Sequence, residues 1–445
     1  MNTPGAKAKY GTLVVGTGVA GLAAARTLAE AGQQVAIVEA RERLGGRILT
    51  EHVPIENVGR RFPIELGAEF VHGLPYVSWN LIGEAGLAAY ELGGPQLCFD
   101  EGILKPCADE ERHANEVLEK MMQWLAQQPA GTDPTFAEYL DLAEIHGLAR
   151  EESAAYVEGF NAADHHLIGV AALCRQQRAE DEIQGGRIFH VMEGYDAVPR
   201  FLGTRFLQAG GTVHLRQRVR SIRWTRGAVT LICENGAGEA VELHADRAVI
   251  TLPLGVLQAS SVTFDPQPRR ILSQAQRMAM GSVRRATLVF KSRFWTECSF
   301  LFASEALLPT WWTPMPEAAP VITAWVGGPK AAAVEEKLRM AANPNALRDY
   351  CLHELAGIFG THVRELEDNL ASWHTHDWGR DEHALGAYSY APAGAIDASE
   401  KMAEPVEKTL YFAGEHTNTQ GHWGTVHGAI DSGVRAAAQI LEERG

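Results

Sequence analysis

Continuous apolar runs, rather than alternating ones, open the chain. Thr12-Leu13-Val14-Val15 is a β-branched run without a polar break, and after a glycine turn comes an Ala- and Leu-rich stretch, Leu22 to Ala31, closed by Gly32. This predicts strand, tight turn, helix. Val35-Ala36-Ile37-Val38 predicts a second strand. From Pro75 to about Arg187 the period turns helical: Val117, Leu118, Met121, Met122, Trp124 and Leu125 recur at i, i+3, i+4 between Asp109 and Gln128, and Asp133-Pro134 predicts an N-cap with proline at the first helical position. Short strands are predicted over 213–215, 219–222, 228–233, 241–243 and 248–255, with turns at Arg226-Gly227 and Asn235-Gly236. From about Phe264 to Ala384, β-rich runs at 286–290 and 321–326 alternate with an acidic helix from Ala331 to Phe359.

Composition narrows the class. At about 150 residues per domain, the 445 residues suggest two or three domains, and 46% hydrophobic content supplies a large core. Forty basic against 55 acidic residues leave a net charge of −15, which argues against a nucleic-acid partner and favours a cationic one. The uncharged stretch Gly11 to Ala25 is shorter than the about 20 apolar residues of a membrane span. The N-terminus has no signal-peptide run, the C-terminus (Ile440 to Gly445) no lipidation box, and the six cysteines (Cys98, Cys107, Cys174, Cys233, Cys298, Cys351) stand singly without a C-x-x-C pair. The expectation is a soluble, cytoplasmic protein without a disulfide framework or a membrane.

The first turn carries chemistry. Gly16-Thr17-Gly18-Val19-Ala20-Gly21 lies between strand and helix, and Glu39 ends the second strand 18 residues beyond Gly21. In such a fingerprint Gly16 permits the turn, Gly18 lets backbone approach a pyrophosphate, Gly21 lets helix and sheet pack closely, and Glu39 accepts from ribose hydroxyls. An acid there disfavours a 2′-phosphate, leaving FAD or NAD. Next, Arg41-Glu42-Arg43-Leu44-Gly45-Gly46-Arg47 sets arginines around a glycine pair, so guanidinium and backbone can both meet a pyrophosphate.

This R-x-G-G-R run past the ribose acid resembles the flavin-dependent amine oxidase family (monoamine and polyamine oxidases and flavin histone demethylases). The resemblance extends through 64–73, 194–199, 248–255 and 409–433. His72-Gly73 and Val426-His427-Gly428-Ala429 are most similar to polyamine-oxidase-like bacterial members and histone demethylases. It implies an α/β fold: a Rossmann-type FAD-binding domain of the GR2 type, assembled discontinuously from residues 1–73, 190–262 and 385–445. Residues 74–189 and 263–384 would form a second, α+β substrate-binding domain containing a helical insertion. FAD is the implied cofactor, held by Gly16, Gly18, Gly21, Glu39, Arg41, Arg43, Gly46, Arg47 and Glu415, with Val219 near adenine and Thr425-Val426 near the ring. Ala387 stands where covalently flavinylated members have cysteine, so binding should be non-covalent.

For the substrate face the resemblance implies Tyr388 as an aromatic wall, with Thr425 where monoamine oxidases have a second tyrosine, which argues for a wider pocket. His72 would bond a substrate nitrogen, or else nearby backbone. Glu69 is expected to anchor the second ammonium of a diamine or polyamine. Arg285 occupies the place of a lysine that assists reaction with oxygen, and a wide guanidinium fork cannot simply replace a compact ammonium; slower reoxidation is expected, with Arg284 taking the role if the register is off by one. His374-Thr375-His376-Asp377 with His383, and His165-His166, read as loop residues rather than a metal site; His353-Glu354 lacks a second histidine at Gly357. No metal is expected. Trp311, Trp312 and Trp325 read as core or as cavity wall.

The reading is FAD-dependent oxidation of a primary or secondary amine, with di- or polyamines favoured. Hydride passes to flavin N5, the imine hydrolyses to aldehyde and released amine, and O2 becomes H2O2. Still open are an L-amino-acid oxidase, for which no carboxylate-binding arginine follows Leu66-Gly67, an amine dehydrogenase using another acceptor, a flavin desaturase or isomerase, and a flavoprotein scaffold. The partners expected are a small amine and an electron acceptor, in a monomer or homodimer.

Overall fold

The computed structural model describes residues 9–56, 58–107 and 110–442. The signal-peptide reading of residues 1–8 and the last three residues of the C-terminus lie outside them.

The apolar run Lys9–Val15 is the centre of a parallel sheet ordered Thr212–His214, Val35–Val38, Lys9–Val15, Ala240–Ile250, with Leu410–Phe412 on the far edge of Ala248 to Ile250. Its faces separate by a period of two. Val14 and Ile37 pack with the helices Val19–Glu30, Ala197–Gln208 and Val426–Glu442, while Leu13, Val15, Ala36 and Val38 pack on the opposite side. Cover on both faces, by these helices on one and by the antiparallel strands Gln217–Thr225 and Ala228–Asn235 with short helices on the other, is why these strands show no polar alternation. Gly433 sets the closest helix contact, because a Cβ there would stand 2.1 Å from Ala20 O.

Two predicted strands prove to be one. Ala240–Ile250 runs unbroken, its first half antiparallel to Ala228–Asn235 and its second half parallel to Lys9–Val15. His244, Asp246 and Arg247, which lie between the two predicted strands, belong to a half-exposed meander, where alternation is the rule. The meander ends at Thr263–Asp265, which pairs with Gln217–Thr225, and Phe264, Ile271 and Met278 join the same core. The first domain's packing therefore continues past the expected boundary at residue 262.

The second sheet has seven strands in the order Leu370–His374, Val283–Phe290, Val321–Gly327, Thr310–Trp312, Phe300–Phe302, Gln96–Asp100, Ile103–Pro106. The last two fall inside the stretch expected to be helical, and Ala89–Glu91 also forms a strand there; such short runs carry too few residues to show a period. Ala286, Leu288 and Phe290 face the helices Gly328–Ala341 and Ala346–Phe359. These are two helices, not one: Ala342 turns left-handed at φ 49°, and Pro344 cannot continue a helix.

Four helices, Glu110–Ala126, Phe136–Leu142, Gly147–Asn161 and Val170–Glu182, form the insertion around Leu118, Met121, Phe136 and Tyr139. Phe136–Leu142 is capped by Thr135 in a capping box with Glu138, not by Asp133. The Asp133 carboxylate instead accepts from Ala171 N and Gly394 N.

Candidate active site

The site begins where Lys9–Val15 ends. Gly16 holds φ +103°, and a Cβ on Gly21 would lie 2.1 Å from Gly16 O, so strand and helix meet through two glycines. Gly18 is different: a Cβ there would meet nothing within 4 Å, and as N-cap it offers the following helix no side-chain acceptor. The first-turn N–H groups are left facing open space, a site suited to anionic phosphate. Thr17 donates to one Glu39 oxygen from both its amide (2.8 Å) and its hydroxyl (2.6 Å), and Arg41 N donates to the other. The carboxylate is thereby aimed, with lone pairs to spare.

The second glycine turn abuts the first. Gly46, at φ +59°, would put a Cβ 3.1 Å from the Gly18 Cα. Arg43 is spent on this turn: its guanidinium donates to Leu44 O, Ile48 O and Gly46 O and does not line the cavity. It shapes the loop that would meet a pyrophosphate instead of reaching one. Arg41 pairs with Asp381 at 2.6 Å; burial opposes ionisation of Asp381, but His376 and Arg41 outweigh it and hold its carboxyl well below the usual range.

Deeper in, Glu415 organises the turn before the last helix. One oxygen takes Arg47 Nη1 at 3.0 Å, and the other takes the Ser389 hydroxyl (2.5 Å) and Gly424 N (3.0 Å). Burial raises its pKa, but Arg47, His416 and these hydrogen bonds bring it below the ordinary value. Thr425 caps the helix Val426–Glu442: its hydroxyl accepts from Gly428 N and donates to His422 O. A threonine at this position thus does backbone work that a tyrosine could not.

Strand alternation decides which arginine enters. Arg284 turns to the helix side, where it pairs with Glu335 and Asp377, whereas Arg285 turns inward. Arg285 Nη1 donates to Gly67 O at 2.9 Å and Nη2 to Glu69 at 2.6 Å. The other Glu69 oxygen accepts from Trp312 Nε1 at 2.9 Å and lies 3.7 Å from His190 Nε2. Glu69, expected to anchor the second ammonium of a diamine or polyamine, is paired with the buried Arg285, so its charge is matched before any substrate arrives. Behind the pair lies Glu65, whose pKa burial pushes up to about 8 against hydrogen bonds from Thr50 and Tyr195 N. It is a neutral acid at pH 7.

Tyr388 donates its hydroxyl to Phe160 O at 2.9 Å, and its ring lies against Gly424, where a Cβ would come within 2.9 Å of Cδ2. Phe160 in turn meets the His72 ring edge-on at 5.8 Å. His72 Nδ1 has no hydrogen-bond partner, and burial pushes its pKa down to about 4. It presents a neutral imidazole.

One cavity of about 2240 Å³ joins all of this, more than twice the ~300–1,000 Å³ that suits a drug-sized ligand. Every residue expected to hold the cofactor or the substrate lines it except Gly21 and Arg43. Its outer part runs under the helical insertion past Glu116, Glu119, Glu151, Glu152 and Asp181, an acidic mouth over an aromatic interior; Glu180, also on the wall, is half-buried, and burial pushes its pKa up to about 7. Sequence reasoning missed His427, Phe160, Ser389 and Gly424 on its wall. Trp312 and Trp311 were separable by period two, Trp311 being fully buried in the core.

Cysteine counting also fell short. Cys98 and Cys107, nine residues apart across a hairpin, form a disulfide, a spacing outside the C-x-x-C pattern; Cys174, Cys233, Cys298 and Cys351 are buried free thiols. Two of the six cysteines thus no longer support a reducing compartment. Among the described residues no helix is long and apolar enough to cross a membrane. Of the histidines read as loop residues, His374 bonds Glu51 and His376 bonds Asp381, while Glu158, Asp164 and His165 bring ligand-type atoms within 4.8 Å of one another.

The family profile described as flavin containing amine oxidoreductase matches residues 19–441. Polyamine oxidase 2 of Arabidopsis thaliana is 27% identical over 470 residues, covering 97% of this chain and 89% of that protein. Lysine-specific histone demethylase 1 homolog 2 of the same plant is 28% identical, covering 96% of this chain and 58% of that protein. Putrescine oxidase in complex with putrescine superposes with a TM-score of 0.81 at 21% identity, covering 98% of this chain and 99% of that one. Cyclohexylamine oxidase from Brevibacterium oxydans IH-35A gives 0.80 at 21% identity, covering 98% and 100%. At such identity the superpositions establish likeness of fold.

Proposed function

The chain belongs to the flavin-containing amine oxidoreductase family, and on that premise we propose that it oxidises a diamine or longer polyamine, using FAD held without a covalent bond and O2 as acceptor. The balanced reaction is R–CH2–NH2 + O2 + H2O giving R–CHO + NH3 + H2O2. The observation that carries the substrate class is the cavity's charge gradient: five carboxylates at its mouth, and at its inner end Glu69 and Glu415 each neutralised by an arginine. Such a mouth gathers cations, and such an interior lets one nitrogen lose its proton and be oxidised.

The residues present fit FAD. The space at Gly18, the glycine turn at Gly45-Gly46 and the aimed carboxylate of Glu39 would take the pyrophosphate and a ribose. The cysteines on the cavity wall are those of the disulfide, so no free thiol faces a ring there among the described residues. FAD, when bound, supplies a two-electron acceptor for the carbon bearing the nitrogen. The chain's own residues orient and exclude water: Tyr388, Trp312 and Phe160 wall the amine, His72 offers a neutral acceptor, and Arg47–Glu415 fixes the turn carrying Gly424. No acid or base of the chain is required for the transfer.

A second reading, a dehydrogenase with an acceptor other than O2, is favoured by one observation: both terminal nitrogens of Arg285 are committed to Gly67 O and Glu69. One experiment tests both. The purified flavoprotein is mixed anaerobically with diamines, polyamines, monoamines and amino acids, air is then admitted, and flavin absorbance is followed. Bleaching by di- and polyamines ahead of monoamines, with kcat/KM falling as salt rises, is expected; bleaching by amino acids alone, or by nothing, overturns the reading. Slow recovery in air, accelerated in Arg285→Lys, would favour the dehydrogenase.

A further inference from the structure

Arg41 is held by one end of its guanidinium. Its Nη2 donates to Asp381 Oδ1 at 2.6 Å, and among the described residues no acceptor takes its Nε or Nη1. Neither nitrogen is sealed in the interior, and the side chain lines the cavity beside Glu39 and Ala40. A guanidinium is a rigid planar fork, so fixing one nitrogen aims the others. Arg43 makes the contrast: its guanidinium is spent on three carbonyls and lies off the cavity.

The carboxylate that fixes Arg41 is itself fixed. Asp381 Oδ1 also accepts from His383 N at 2.9 Å, and Oδ2 meets His376 Nε2 at 2.8 Å. The His376 ring lies against Trp378 with centroids 4.2 Å apart, and Trp378 Nε1 donates to Leu66 O at 2.7 Å. Next in sequence, Glu382 pairs with Arg218, whose backbone adjoins that of Arg41: Arg216 N donates to Arg41 O, and Gln217 N to Glu39 O. A few residues on, the chain packs elsewhere, since a Cβ on Gly255 would stand 2.3 Å from Leu385 O.

Residues 375–386 contain turns but no helix or strand. They are tied beside the ribose acid at one point and against Gly255 at another. Between these points Trp378, Glu382 and His383 line the cavity together with Glu39, Val219 and Val256. The two ties are unequal. Arg218–Glu382 is exposed by 29% and 62% and contributes little, as surface pairs do. Arg41–Asp381, at 16% and 6%, is the pair shielded from water.

We propose that Asp381 is a positioning residue for the cofactor: it aims Arg41 and latches residues 375–386 over the adenosine half of FAD, and so sets how long a non-covalently held FAD stays bound. The inference rests on the FAD reading above and deepens it. There the glycine turns and Glu39 receive the pyrophosphate and a ribose from one side. The latch closes the other side with residues 340 positions away in sequence.

The test compares FAD-loaded wild type with Asp381→Asn, which keeps the shape and loses the charge, and Asp381→Glu, which keeps the charge. Flavin fluorescence after dilution gives the rate of FAD release. Competition of ADP and of FMN against FAD rebinding reports on the two halves of the cofactor separately. Release from Asp381→Asn is expected to be about tenfold faster, the worth of one charge-assisted hydrogen bond. ADP should weaken by the same factor and FMN, which lacks the adenosine, should compete as it does with wild type, with part of the loss recovered in Asp381→Glu. A release rate and ADP affinity equal to those of wild type overturn the inference and leave the FAD reading intact. Equal weakening of ADP and FMN assigns Asp381 to the fold as a whole and also overturns it. If wild type holds no flavin, both readings fall. Should Asp381→Asn not fold, Arg41→Lys decides, because it keeps the charge and loses the fork; an unchanged ADP affinity again overturns the inference.

Discussion

Replacing Glu69 by Gln tests whether this carboxylate serves as the counter-ion of Arg285 or as an anchor for a substrate ammonium. In the wild type the side chains of Arg285 and Glu69 are 3% and 10% exposed and 2.6 Å apart, and Trp312 donates to the second carboxylate oxygen. Removing one partner of a buried pair costs ~3–5 kcal/mol, because the other charge remains buried without a counter-ion. Two features put Glu69→Gln at the lower end. Arg285 Nη1 keeps Gly67 O at 2.9 Å, and glutamine retains one acceptor oxygen for either Arg285 or Trp312. A loss of ~3 kcal/mol, at ~2 °C per kcal/mol for a large domain, lowers the thermal midpoint by about 6 °C.

The assay is thermal unfolding of the FAD-loaded protein, followed by flavin fluorescence on release, together with KM for a diamine and a monoamine. If Glu69 is the counter-ion of Arg285, the midpoint falls and the two KM values move together. The double variant Glu69→Leu/Arg285→Leu should then be more stable than the sum of its single variants allows, since neither charge is left stranded. A midpoint within about 1 °C of wild type, with KM raised for diamines alone, would refute this reasoning and restore Glu69 as an ammonium anchor.

Two further outcomes follow from the site. In Gly424→Ala the new Cβ, 2.9 Å from Tyr388 Cδ2 at a residue of φ +71°, must displace the ring, so kcat/KM for amines is expected to fall by ~10- to 100-fold while flavin content is retained; steady-state rates and absorbance check it. The pH dependence of stability has two sides. Burial lowers His72 and His416 to about 4 and His427 to about 3 from 6.5, so below pH 6.5 the unfolded chain takes up protons that the folded one refuses, and stability is lost as pH falls toward 4. Burial raises Glu65 from 4.5 to about 8, so its contribution is full below pH 4.5 and drains as pH rises to 8. Thermal midpoints across pH 4.5–8.5 should therefore fall at both ends, and Glu65→Gln should flatten the alkaline fall only.

What was legible in the sequence was what local geometry enforces. The first glycine turn could be read because Gly16 and Gly21 are required by a left-handed φ and a 2.1 Å approach within a six-residue span. The inward turn of Arg285 followed from strand alternation once the register of Val283–Phe290 was known. The partner of Arg285 did not follow, because Glu69 is 216 residues away on another element and only the fold brings them together. His427 stands in Val426-His427-Gly428-Ala429, a run that carries the family resemblance, but that its Nε2 is buried without a hydrogen-bond partner could be learned only from the fold.

The two kinds of information therefore divide the site unequally. The nucleotide end rests largely on the glycine turns and aimed carboxylate between Gly16 and Arg47, a span short enough for a sequence motif to show. The substrate end is built from side chains of five separate segments, around Glu69 and His72, Phe160, Arg285, Tyr388 and His427. There, charge is cancelled pairwise before any substrate arrives, Arg285 by Glu69 and Arg47 by Glu415. What remains to recognise an amine is aromatic surface and neutral imidazole. Discrimination among amines must then come from distance and shape, with the acidic mouth affecting how fast they arrive.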